Sequence, residues 1–134
     1  MSRREQPPIG SPGEHLSELH ARLMRLHKLL LEDQRAAYEA VHGEVTASAE
    51  LFRLLLTHPG FAWLRVLSEM IARIDEALDE AEGELGDADL EPFLQRSRAL
   101  LRSDRSGPFE TKYRDVLQRS PDVIMAHSAV FKLL

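Results

Sequence analysis

Apolar residues recur every three or four positions along the first part of the chain, with polar residues between them. From Glu14 onward, leucines form one such stripe: Leu16, Leu19, Leu23, Leu26 and Leu30. This spacing places the leucines on one face of an α-helix, where they can pack against other helices. The sequence therefore predicts a long amphipathic helix over residues 14–42.

Gly43 marks the expected end of this first helix. The three-and-four spacing of apolar residues nevertheless continues through Leu55, so a continuous helix to Thr57 is the alternative. One glycine inside a helix costs only about 1 kcal/mol relative to alanine, so packing could keep the helix continuous. We predict a break near residues 43–48. The segment 58–60 (HPG) is a clearer stop, because proline disfavours a helical backbone at the preceding residue and glycine allows a turn.

A second stripe follows, which predicts a second long helix over residues 60–83, antiparallel to the first. Its apolar positions are Phe61, Leu64, Leu67, Ile71, Ile74, Leu78 and Ala81. Asp87 is a candidate N-cap for a third helix, and a loop over residues 102–108 separates that helix from a short fourth one. Ser120, followed by Pro121 and an acid, predicts the start of the last helix.

The composition supports an all-helical fold in a single domain. Of 134 residues, 22 are Leu and 14 are Ala, against only four Ile and six Val. Leu and Ala favour helices, whereas Ile and Val favour sheets. We predict an all-α bundle of five or six helices over residues 14–134, preceded by a disordered leader, residues 1–13, with several prolines and glycines.

The net charge is acidic, and the charges are unevenly distributed. Seventeen Lys and Arg residues against 22 Asp and Glu residues give a net charge of −5. Because this balance opposes a large phosphate-binding surface, we predict no nucleic-acid partner. Nine acids and no base lie in residues 75–91, whereas seven bases and three acids lie in residues 96–119. These two blocks predict either surface ion pairs or a docking surface for a charged partner.

The chain carries no sign of a membrane or export segment. No apolar run approaches the roughly 20 residues that span a bilayer. The leader has prolines and glycines where a signal peptide needs an apolar run. The absence of cysteine excludes catalysis by a cysteine and fits a reducing compartment. We therefore predict a cytoplasmic protein that does not bind membranes.

Six histidines raise the question of a metal site. Glu39 and His42 form a Glu-x-x-His unit, which places a carboxylate and an imidazole on one helical face, as in carboxylate-bridged metal bundles. Such a bundle also needs a second Glu-x-x-His unit, which this sequence lacks. We favour ordinary structural histidines and no cofactor. The alternative is a ligand-binding or metal-binding bundle, with or without enzymatic activity, in which Glu39 and His42 face inward.

The most aromatic segment is 61–65 (FAWLR). An exposed Trp63 beside Arg65 is typical of a protein-binding hot spot, whereas a buried Trp63 is a core anchor. No Ser/His/Asp signature, nucleophile elbow or phosphate-binding loop occurs in the sequence. We predict a noncatalytic protein-interaction or assembly module with an unidentified protein partner, and Trp63 and Arg65 as candidate contact residues. The leucine stripe also predicts a homodimer that shares this seam across a two-fold axis.

The segments 61–67 (FAWLRVL) and 74–76 (IDE), together with Tyr38-Glu39 before His42-Gly43, resemble a group of small bacterial helical proteins of unknown function. The resemblance covers about residues 15–134. It implies an all-helical fold and a bacterial cytoplasmic setting. It implies neither an activity nor any site residues.

Overall fold

The computed structural model describes residues 10–81, 84–102 and 107–134, and this part of the chain contains α-helices and no β-strand. The helices are α1 (Pro12–His42), α2 (Ser48–Thr57), α3 (Arg65–Ala81), α4 (Asp87–Leu101), α5 (Pro108–Arg119) and α6 (Pro121–Phe131). A 3₁₀ helix, Pro59–Leu64, joins α2 to α3. The predicted all-α helical bundle is confirmed.

α1 begins two residues before the predicted start at residue 14. The hydroxyl of Ser11 accepts the N–H of Glu14 at 3.1 Å, and the Glu14 carboxylate accepts the N–H of Ser11 at 3.2 Å. Pro12 suits the first helical position, because the N–H that it lacks would have no partner within the helix there. Pro12 and Gly13 therefore belong to α1 rather than to the predicted leader, and residues 1–9 lie outside the described residues.

The leucine stripe of α1 forms the centre of the core. All five leucines are completely buried, and α1 packs against α3, α4, α6 and the 3₁₀ helix. Burying one leucine side chain contributes roughly 1.5–3 kcal/mol. Because a single chain already buries the whole leucine stripe, the stripe is not available for the predicted dimer contact. A homodimer would have to use another surface.

Polar contacts attach α5 and α6 along much of the length of α1. At one end, His15 Nε2 donates to the carbonyl of Leu133, two residues after the end of α6, at 2.9 Å. Arg22 Nη1 donates to a main-chain carbonyl in the last turn of α6 at 2.7 Å. Further along α1, both carboxylate oxygens of Asp33 accept from the Arg119 guanidinium at 3.1 Å. These contacts add directional specificity to the apolar packing of α1.

The helix is interrupted between α1 and α2, near residues 43–48 as predicted. Gly43 ends α1 with a φ of 93°, a conformation that residues with a side chain rarely adopt. The Glu39 carboxylate accepts the N–H of Val45 at 2.8 Å, and Arg35 donates to the carbonyl of Val45 at 2.7 Å. Val45 is itself buried. The connection is therefore held by hydrogen bonds and by packing.

The second predicted helix, over residues 60–83, differs from the structure at its start. Its first residues belong to the 3₁₀ helix Pro59–Leu64, and the α-helical part covers only Arg65–Ala81. Residues 82–83, at the predicted end of that helix, lie outside the described residues. The same applies to residues 103–106, which form most of the predicted loop before α5.

The 3₁₀ winding has a local physical explanation. His58 Nδ1 accepts the N–H of Gly60 at 2.9 Å, which satisfies a main-chain donor at the start of the turn. Three residues per turn place Phe61 and Leu64 on the same face, and both side chains are completely buried. The 3₁₀ helix thus places the side chains of Phe61 and Leu64 in the core within a short connection.

The first residues of α4, α5 and α6 differ from the predictions by at most one residue. α4 begins at Asp87, so its N-cap is Gly86 rather than Asp87, and the N–H of Gly86 donates to the Asp89 carboxylate at 2.9 Å. The predicted cap at Ser120 is confirmed, since its hydroxyl accepts the N–H of Val123 at 3.2 Å.

Candidate functional site

The structure places Trp63 in the core. Its side chain is only 7% exposed, and its ring lies 5.7 Å from that of Phe109 in α5. The indole Nε1 donates to Gln34 Oε1 of α1 at 2.8 Å. Trp63 therefore joins α1, the 3₁₀ helix and α5, which is the role of a core anchor rather than of an exposed contact residue.

Arg65 also has a structural role. Its Nε donates to the carbonyl of Leu55 at 2.9 Å, and its Nη2 donates to the carbonyl of His58 at 3.2 Å. The last carbonyls of a helix have no partner within the helix, so a cation there stabilises the helix end. Arg65 thereby fastens the end of α2 to the start of α3.

The Glu39 carboxylate is engaged in the connection between α1 and α2. Besides the Val45 N–H, it accepts a hydrogen bond from Arg35 Nε at 3.2 Å. The Val45 N–H and then Arg35 lower the pKa of Glu39, because both favour the ionised carboxylate. The carboxylate expected to face an internal site instead holds a loop in place.

His42 is exposed at the end of α1 rather than facing inward. Its ring stacks on Tyr38 with centroids 4.4 Å apart, and it lies 6.0 Å from the ring of His58. Because His58 Nδ1 accepts the N–H of Gly60, the proton of the neutral ring is on Nε2, and His58 has no free lone pair for a metal. Within the described residues, no three His, Cys, Asp or Glu side chains are grouped so that they could hold a metal ion.

One close Ser–His pair has no signal in the sequence, because its members are 41 positions apart. His27 Nε2 lies 2.6 Å from Ser68 Oγ, a distance suited to a base and a nucleophile. The Ser68 hydroxyl, however, donates to the carbonyl of Leu64 at 3.2 Å, which makes His27 the donor in the Ser–His contact. The pair is a polar link between α1 and α3.

The most prominent exposed apolar feature of α2 is formed by Phe52 and Leu56, which we call the α2 apolar face. These side chains are 60% and 54% exposed and lie one helical turn apart, on the same side of α2. The other side of α2 buries Leu54 and Leu55, and the helix packs chiefly against the 3₁₀ helix. Exposed apolar side chains that lie next to each other make this side of α2 a candidate contact surface.

No family model matches the chain, and no curated protein or solved structure is significantly similar to it. In the described part of the chain, no helix has the length and apolar character needed to cross a membrane. The resemblance to small bacterial helical proteins stays a prediction.

Proposed function

We propose that this chain is a noncatalytic protein-interaction module and that the α2 apolar face is its contact surface. The observation that supports this proposal is the exposure of Phe52 and Leu56 side by side on a helix with apolar residues on two sides. Removing apolar surface from water contributes about 25 cal/mol per Å², so covering these side chains favours association. Aromatic side chains such as that of Phe52 are enriched in protein–protein contacts.

The attachment of α2 at both ends supports a role in presentation. Before α2, the buried Val45 and its hydrogen bonds to Arg35 and Glu39 fix the connection. After α2, Arg65 binds the carbonyls of Leu55 and His58. A surface that is already ordered loses less conformational entropy when a partner binds.

Charged side chains flank the α2 apolar face. Arg53 and Glu50 lie on α2 with Arg53 Nη2 3.9 Å from Glu50 Oε2, and both are well exposed. An apolar centre with a polar, solvent-accessible rim is the usual arrangement of a protein–protein contact. The rim helps to keep the free protein dissolved while the centre provides affinity.

We propose a second copy of the chain as the first partner of this face, in a cytoplasmic homodimer. This assignment moves the predicted dimer contact from the buried leucine seam of α1 to α2. A two-fold contact needs a surface that can pack on its own copy, and a short exposed apolar helix face meets that requirement.

The test is the molar mass in solution, measured by light scattering over a range of protein concentrations. The unchanged chain should pass from monomer to dimer as its concentration rises, whereas Phe52→Glu should remain a monomer. Met125→Glu on α6 is the matched control, because Met125 is 71% exposed but lies on a different helix. This control should dimerise like the unchanged chain.

Two results would count against these proposals. A monomer mass for the unchanged chain at every concentration would exclude the homodimer. Equal effects of Phe52→Glu and Met125→Glu on association would remove the α2 apolar face as the contact surface. Circular dichroism of both variants should show an unchanged helix content, so that a loss of association is not confused with unfolding.

A further inference from the structure

A groove separates α3 from α4 on a part of the molecule that does not include the α2 apolar face. α3 contributes Val66, Glu69, Met70 and Arg73, which follow the three-and-four spacing of one helical face. Both helices pack on α1 more extensively than on each other, which leaves the space between them. Its volume is about 360 Å³, within the range of sites that hold small molecules.

The floor of this groove is apolar. Met70 is buried, and Leu100 of α4 and the 44% exposed Val66 also line the space. Ser97, on α4, is completely buried and donates its hydroxyl to Met70 Sδ at 3.8 Å. This contact joins α3 to α4 at Met70. The groove can therefore cover an apolar group of a ligand.

Four charged side chains surround the apolar floor. Arg73 of α3, Arg96 of α4, Glu69 of α3 and Glu110 of α5 line the same space. Within the described residues, none of these four side chains makes a hydrogen bond or an ion pair, unlike Arg119, which binds two carboxylates. The groove thus offers two cations and two anions that the fold itself does not use.

We propose that this groove binds a small zwitterionic compound with an apolar body, of the class of α-amino acids with a large apolar side chain. The guanidinium groups of Arg73 and Arg96 suit a carboxylate, which they can bind through paired hydrogen bonds. Glu69 and Glu110 suit an ammonium group. A simple anion would face the two glutamates without a cation of its own, and a simple amine would face the two arginines, whereas a zwitterion offers a partner to each.

Binding can be tested with L-phenylalanine as the probe, by following the amide resonances of the isotope-labelled protein. The expected result is a saturable shift of resonances in residues 66–73 and 96–100. 3-Phenylpropanoate, which lacks the ammonium group, and phenethylamine, which lacks the carboxylate, should each bind about tenfold more weakly, because each loses charged hydrogen bonds. If 3-phenylpropanoate binds as tightly as L-phenylalanine, the zwitterion assignment is overturned.

Substitutions of the two groove arginines test whether these side chains bind L-phenylalanine. Arg73→Gln and Arg96→Gln should each weaken L-phenylalanine binding about tenfold, with an unchanged melting temperature because both side chains are exposed. Arg25→Gln is the matched control, since Arg25 is an exposed α1 arginine that does not line the groove. The proposal fails if no saturable shift is seen at about 10 mM probe, or if Arg25→Gln weakens binding as much as the groove variants. Neither result bears on the α2 apolar face.

Discussion

α1 and α2 carry the same kind of apolar spacing but differ in how many neighbouring helices cover them. The five leucines of α1 are completely buried, because α1 has helices packed on several sides. On α2, Leu54 and Leu55 are buried while Phe52 and Leu56 are exposed, because α2 packs chiefly against one short 3₁₀ helix. The spacing of apolar residues decides that a segment is helical. Which apolar residues become buried depends on how many neighbours the helix finds.

The largest expected effect contrasts one leucine from each helix. Leu23→Ala should reduce the free energy of unfolding by about 2–5 kcal/mol, because Leu23 is completely buried and its removal leaves a cavity. Leu56→Ala should change it by less than about 1 kcal/mol, since Leu56 is 54% exposed. Urea unfolding measures both. Similar losses of unfolding free energy in the two variants would show that Leu56 contributes to the core as Leu23 does, and that α1 and α2 do not differ in this respect.

A smaller effect is expected at the junction of the two helices. Gly43→Ala should destabilise the protein by about 1–3 kcal/mol, because a φ of 93° is an unfavourable backbone conformation for any residue with a side chain. A steric clash does not contribute, since no atom lies within 4 Å of the added methyl group. Gly13→Ala, inside the first turn of α1, is the control and should stabilise the protein by up to about 1 kcal/mol. Thermal unfolding compares the two. If Gly43→Ala were neutral, the break would not depend on the backbone conformation of Gly43.

The smallest expected effect is a dependence of the free energy of unfolding on pH, caused by one histidine in α1 and one in α6. Burial lowers the pKa of His27 in α1 and of His127 in α6 from 6.5, so the unfolded chain binds protons at a higher pH than the folded chain. Stability should fall as the pH drops below about 6.5 and level off below the pKa values of the folded state. Urea midpoints at about pH 7.5 and 5.5 measure this, and His27→Gln with His127→Gln should flatten the change. An unaltered change in the double variant would exclude these histidines as its source.

Several features of the fold could be predicted because they depend on a few neighbouring residues. The leucine stripe of α1, the stop at residues 58–60 and the cap at Ser120 each follow from local spacing or local backbone chemistry. α1 begins two residues earlier than the leucine spacing predicts, because the reciprocal hydrogen bonds of Ser11 and Glu14 cap the helix before Pro12.

The candidate sites could not be predicted in the same way, because they depend on contacts between distant positions. Trp63 is buried through Gln34 and Phe109, and no local pattern around Trp63 identifies either partner. Glu39 was a plausible ligand by spacing, but the loop that follows α1 folds back and supplies the Val45 N–H to it. The groove between α3 and α4 depends on how closely two helices approach each other, which their separate sequences do not specify.

The burial of Trp63 also gives the protein an internal optical probe. It is the one tryptophan of the chain, so the indole fluorescence reports on a single position, where α1, the 3₁₀ helix and α5 meet. Water that reaches the ring when Gln34 or Phe109 moves away will shift the emission to longer wavelengths. Local opening at this junction can therefore be followed separately from the loss of helix seen by circular dichroism.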